Sequence, residues 1–110
     1  MDATMQAVVE AAWEDRNLLK DPETIRTIRE CIRLLDTGEL RVASPEAETW
    51  IVHTWIKKAV ILYFPIQGME LSEAGPMQFH DKIPLKQGYD ALGVRVVPHA
   101  IARYGAYLSP

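Results

Sequence analysis

The apolar positions of this chain fall first into two helical stripes. Between residues 4 and 19, Met5, Val8, Val9, Ala12 and Trp13 recur at helical spacing and share one face, with Asp2 or Thr4 available as an N-cap. Asp21 offers a second cap and Pro22 a first helical residue that loses no hydrogen bond. Ile25, Ile28, Ile32 and Leu35 then form a stripe that stops before Gly38. Arg26, Arg29 and Arg33 lie on the opposite face of this second helix, either as a basic ridge able to hold an anion or as a solvated face balanced by Glu23 and Glu30. Charged helix faces are mostly exposed, which favours the solvated face.

After Gly38 the period changes. ELRVA (39–43) and TWIVH (49–53) gather β-formers around SPEAE, five residues containing Pro45, and predict a small hairpin. From a cap at Thr54, WIKKAVILYF is apolar on so many sides that it predicts a central, largely buried third helix, closed by Pro65, with Lys57 and Lys58 on its wet edge. Its Trp55, Ile56, Ala59, Val60, Leu62 and Tyr63 are expected to meet Ile28, Ile32, Val8 and Trp13. Residues 65–88 hold Pro65, Gly68, Gly75, Pro76, Pro84 and Gly88, which predicts loops with short extended pieces such as MQFHDKI. YDALG makes one helical turn stopped by Gly93, and VRVV a short strand that Pro98 confines to an edge or an end. The fold class that follows is α+β and predominantly helical: about three helices with a small hairpin.

Composition narrows the class. At 110 residues, 48% hydrophobic and 25% charged, the sequence suits one folded domain with a modest core. A net charge of −3 without a long Lys/Arg run gives no footprint for nucleic acid or an acidic membrane surface. The longest apolar run, AVILYF, is too short to span a bilayer. One cysteine, Cys31, and acidic, helix-forming residues after Met1 in place of a signal segment fit a reducing cytoplasm.

The chemistry on offer is sparse. His53, His80 and His99 are far apart and lack metal-ligand spacing, so no metal site is expected. Cys31 shares the apolar side of the second helix and reads as a small buried hydrophobe. No GxSxG, P-loop or GxGxxG motif is present. Alternation in GVRVVP turns Arg95 away from Val94 and Val96, aiming a planar guanidinium that can grip a carboxylate with two parallel bonds. A structural ion pair with an Asp or Glu is the other role open to Arg95. IARYGA and YLSP, from Ile101 and Tyr107, set an aliphatic or aromatic residue six apart, the spacing of a left-handed coil with six-residue sides; a strand-like or disordered tail is the alternative.

In order and spacing, HTWIKKAVILYF, FHDKIPLK and GVRVVPHAIARYGAY resemble the tetrahydrodipicolinate N-succinyltransferases, with segments such as WLKKAVLL, FDKVP and FRVVPPA. IRECIRLLDTGELRVA is similar to that family's helix and LLDSGALRVA-type turn. The resemblance implies a transferase of the diaminopimelate route to lysine, moving succinyl from succinyl-CoA to the amine of a ring-opened dicarboxylate. It implies a homotrimer on a left-handed parallel β-helix, preceded by a helical N-terminal domain, here residues 1–99, with 100–110 starting the coil. By motif position the family's substrate-binding arginine falls on Arg95. The family's catalytic acids and pantetheine groove belong to the β-helix, so no catalytic residue, metal or bound cofactor is expected here, and succinyl-CoA enters only as co-substrate. This chain alone is expected to be inactive. His99 replaces the second proline usual in VVPP. The rival from another class is a stand-alone helical adaptor related to this domain, whose mark would be an exposed apolar patch.

Overall fold

The computed structural model describes residues 2–110. Helix α1 (Asp2–Glu14), a 3-10 turn (Arg16–Lys20) and helix α2 (Pro22–Thr37) lead into strands β1 (Ala43–Glu46) and β2 (Thr49–Val52). Helix α3 (Thr54–Ile66), strands β3 (Glu70–Ala74) and β4 (Met77–Asp81) and the single turn α4 (Tyr89–Leu92) follow. The molecule is a plate of 42 × 39 × 19 Å, with a radius of gyration of 15.7 Å. A chain this long in one ball would reach only about 13 Å, and the excess reflects hairpins whose strands are mostly exposed beside the helices.

The first helical stripe breaks earlier than its pattern predicts. Asp15 is extended and its carboxylate accepts from the Asn17 N–H at 3.1 Å, so α1 ends and Leu18 and Leu19 reach the core edge from the 3-10 turn. Thr4 lies inside α1 instead of capping it, and the Asp2 cap lies outside the described side chains.

Helix α2 follows its sequence signals. The Asp21 carboxylate accepts from the Glu23 N–H at 3.4 Å and from the Thr24 hydroxyl at 3.2 Å, Pro22 opens the first turn, and Gly38 closes the last at φ +84°. The left-handed step lets the Leu40 N–H reach back to the Leu34 carbonyl at 3.1 Å, which satisfies a helix-end acceptor.

The core lies where α1, α2 and α3 meet. Met5, Val9 and Ala12 pack with Ile28, Cys31, Ile32, Leu34 and Leu35 and with Trp55, Ile56, Ala59, Leu62 and Tyr63; Leu40 and Ile83 close its ends. Val9 takes the fully buried place expected for Val8, while Trp13 and Val60 stand at the border. Lys57 is exposed, but Lys58 is half-buried, pairing with Glu10 at 2.7 Å and lying over the Trp13 ring. His53, not Thr54, occupies the N-cap of α3. Pro65 does not close α3, which runs on to Ile66 because a proline in the last turn removes one bond only.

Both hairpins turn through two residues. β1 pairs antiparallel with β2 from Ala43↔Val52 to Glu46↔Thr49, so the first strand begins later than ELRVA suggests, with Pro45 inside it opposite Trp50, while the second begins at Thr49 as TWIVH predicts. β3 pairs antiparallel with β4 from Glu70↔Asp81 to Ala74↔Met77, converting the middle of the expected loop region into a second hairpin. Gly75, at φ +61°, takes the left-handed turn position, and Pro76 follows with the fixed φ that the second position accepts. Residues 94–97 form no ladder; the expected VRVV strand is an unpaired segment. Residues 100–110 are irregular apart from a turn and an antiparallel bridge, Leu85↔Arg103. Among the described residues, no helix is long and apolar enough to cross a membrane.

Candidate carboxylate-binding site

Arg95 follows the end of α4. Gly93 turns the chain at φ +70°, and the Val94 N–H donates to the Tyr89 carbonyl at 2.9 Å. Beyond Arg95 the Ala100 N–H closes a turn onto the Val97 carbonyl at 3.0 Å, with His99 at φ +76°. Proline is locked near −65° and cannot adopt that angle, so His99 permits a turn that a second proline would forbid.

Val94 and Val96 are half-buried while Arg95 is exposed, so the alternation holds without a partner strand. An open groove of about 450 Å3 is bordered by Tyr89, Val94, Arg95, Val96, Val97, Ala100, Ile101, Ala102 and Leu108. Arg95 is the one charged side chain on that lining, and it makes no ion pair with any described carboxylate. A guanidinium offers a rigid fork of donors matched to a carboxylate. An apolar trough with one such fork suits a short carbon chain ending in a carboxylate.

A polar junction that spacing did not reveal lies at the base of this segment. Lys86 is buried, with its side chain 5% exposed, and its Nζ donates to the Asp36 carboxylate at 2.7 Å and to the Asp36 carbonyl at 3.1 Å. The Asp36 carboxylate also accepts the Gly105 N–H at 2.9 Å. The partners lie 50 and 69 residues apart, beyond any local periodicity. Both Asp36 and Lys86 fall inside the segments LLDTGELRVA and FHDKIPLK, the nearest signal the sequence offers. Beside them Tyr107 covers Gly38 so closely that a Cβ there would lie 2.7 Å from the Tyr107 ring.

The remaining candidates are not brought together. His53 Nε2 and the Ser44 hydroxyl are 2.7 Å apart beside the first hairpin, His80 lies exposed on β4, and His99 is exposed beyond Arg95. Among the described residues no three His, Cys, Asp or Glu side chains gather as metal ligands. Cys31 is fully buried in the core. On the basic ridge Arg26 pairs with Glu23 and Arg33 with Glu30, while Arg29 reaches the Gln67 side chain at 3.3 Å. The hydrogen bond from Arg33 holds the Glu30 carboxyl below the usual carboxylate range and raises Arg33. Burial raises the Tyr63 and Tyr104 hydroxyls, so neither supplies a phenolate at neutral pH.

Residues 4–66, more than half of the chain, match the family model described as tetrahydrodipicolinate N-succinyltransferase N-terminal. The chain belongs to that family. Relatives named 2,3,4,5-tetrahydropyridine-2,6-dicarboxylate N-succinyltransferase are 41% identical in Bordetella petrii, over 119 positions covering 99% of this chain and 44% of the relative. The Aeromonas hydrophila protein of the same name is 41% identical over 116 positions, covering 96% of this chain and 42% of its own. The chain therefore spans less than half the length of these relatives. The N-terminal family match ends with α3, so it covers the helical bundle; the longer alignment to the Bordetella petrii protein extends over the Arg95 segment as well.

Proposed function

We propose that this chain is the N-terminal, substrate-binding portion of a succinyltransferase that moves succinyl from succinyl-CoA to tetrahydrodipicolinate, in the diaminopimelate route to lysine. Arg95 holds one carboxylate of the acceptor. The observation that carries this reading is an exposed guanidinium, without a described acidic partner, on an apolar groove in a chain 41% identical to enzymes named for a dicarboxylate. The complete enzyme works as a homotrimer in the cytoplasm, and residues 100–110 lead into its left-handed β-helix.

In the complete enzyme a neutral amine attacks the thioester carbonyl, which needs a base and donors for the oxyanion. In this reading the chain's own contribution is binding and orientation of the acceptor at Arg95, with the base and donors supplied by the rest of the enzyme, so the chain alone is expected not to catalyse.

The test is thermal melting of the 110-residue chain with pimelate, a seven-carbon dicarboxylate like the acceptor, and with succinyl-CoA. Binding to the native state must raise the melting temperature. Pimelate is expected to stabilise the parent chain and not Arg95→Ala; equal shifts in both would remove Arg95 from the site.

The adaptor reading has its own observation. Trp50, Val52 and Leu71 are 61%, 60% and 62% exposed on the two hairpins, apolar surface that a protein partner could cover. No shift with either ligand would favour it.

A further inference from the structure

The groove around Arg95 sits on an excursion of the chain whose two ends meet. The chain leaves at Lys86 and returns at Ala102, where the Lys86 N–H donates to the Ala102 carbonyl at 2.9 Å. One step further along this neck the Tyr104 N–H donates to the Pro84 carbonyl at 2.8 Å. Inside the excursion the backbone bonds are internal: Leu92 to Gly88, Gly93 to Asp90, Val94 to Tyr89 and Ala100 to Val97. Among the described residues, no side chain of 87–101 makes a hydrogen bond or ion pair with the rest of the protein. The excursion therefore carries no directional tie of its own to the helices, and its attitude is set at the neck.

The neck meets the bundle through apolar contact of Ile83 and Tyr104, through Arg103 lying over the Phe64 ring at 5.5 Å and through Asp36 at the end of α2. Just ahead of it Lys82 Nζ donates to the Phe64 carbonyl at 3.2 Å and the Lys82 carbonyl accepts from Gln67 Nε2 at 3.3 Å. Apolar contact resists separation but tolerates sliding, because burial is non-directional. Asp36 instead takes one donor from each arm of the neck, Lys86 Nζ at 2.7 Å and the Gly105 N–H at 2.9 Å, on the same carboxylate oxygen. The side chains of the pair are 5% and 22% exposed, so water competes weakly for these bonds.

We infer that Asp36 is a positioning residue for the Arg95 groove, fixing the direction in which residues 87–101 leave the bundle by acting through Lys86 and Gly105. For its ligand the inference rests on the reading of Arg95 as a carboxylate clamp. A fork that must meet a carboxylate along two parallel bonds loses affinity when its base can rotate, since each conformer outside the competent one lowers the apparent affinity in proportion.

The test combines amide hydrogen exchange with pimelate titration of the 110-residue chain. In Asp36→Ala the Lys86 and Tyr104 amides are expected to exchange at least tenfold faster, the Ile56 and Leu62 amides to keep their rates, and pimelate to bind at least tenfold more weakly. Asp36→Asn keeps an oxygen for both donors and is expected to restore most of the affinity, which a loss of general stability would not explain; should Asp36→Ala fail to fold, the smaller changes in Asp36→Asn carry the test. Unchanged neck amides would overturn the inference, as would a loosened neck with unaltered pimelate affinity. A parent chain that does not bind pimelate overturns the Arg95 reading instead, and the exchange rates alone then decide whether Asp36 pins the neck.

Discussion

The helical bundle up to Ile66 and the residues after it are held by different means. The bundle supplies nearly all of the core, with Val9, Ala12, Ile28, Cys31, Ala59 and Leu62 fully excluded from water. Beyond Ile66 only Ile83 and Lys86 are buried among the described residues, and Leu71, Val97, Ile101 and Tyr107 lie largely in solvent. Where burial is large, orientation follows from packing many atoms at close density. Where it is small, a few directed bonds decide the geometry, and the candidate site stands in that second region.

The largest effect that would break this contrast is at Ala59. Ala59→Asp puts an unpaired charge at a position with no exposure and is expected to cost roughly 4 kcal/mol, enough to unfold the bundle. Circular dichroism checks this, and a cooperative melt near that of the parent would remove Ala59 from the core. Next is Lys86→Ala, which leaves Asp36 without its cation and is expected to cost about 3 kcal/mol by urea denaturation.

Gly38→Ala is smaller. The left-handed φ costs about 1 kcal/mol, and the new methyl must also displace Tyr107. Tyr107→Ala in the same chain is expected to return the second part only, a non-additivity that a double-mutant cycle measures. Arg95→Ala sharpens the contrast from the other side: stability should change by less than about 0.5 kcal/mol while the pimelate-induced melting shift disappears.

The smallest effect is electrostatic. The bond from Arg33 lowers the Glu30 carboxyl, and the backbone N–H of Lys82 and the charge of Arg103 lower Asp81. A depressed carboxyl stabilises the fold above its unfolded value, and that contribution is lost as pH falls through its folded one. The difference in melting temperature between the parent and Glu30→Gln should therefore be present at neutral pH and fade on acidification. Both partners are exposed, so the difference is slight.

Legibility in the sequence follows the same division. Helix α2 could be read end to end because Asp21, Pro22 and Gly38 each act within a turn of where they stand. The early end of α1 was hidden because Asp15 interrupts a stripe whose apolar spacing continues through Leu18 and Leu19. Strand β3, ELSEA, has neither β-branched residues nor a buried face, so nothing marks it except the turn that follows. Arg95 stood out by alternation together with its place in the GVRVVP motif, but the Asp36 junction that holds its segment joins residues half the chain apart, and no periodicity carries that information.

Cys31, at zero exposure between the packed helices, gives the protein an internal clock. A thiol reagent cannot reach that sulfur until α2 lifts from its neighbours, so the rate of capture counts openings of the bundle without any added label. If the pin at Asp36 transmits little into the bundle, that count should stay constant while the site above it is loosened or tightened.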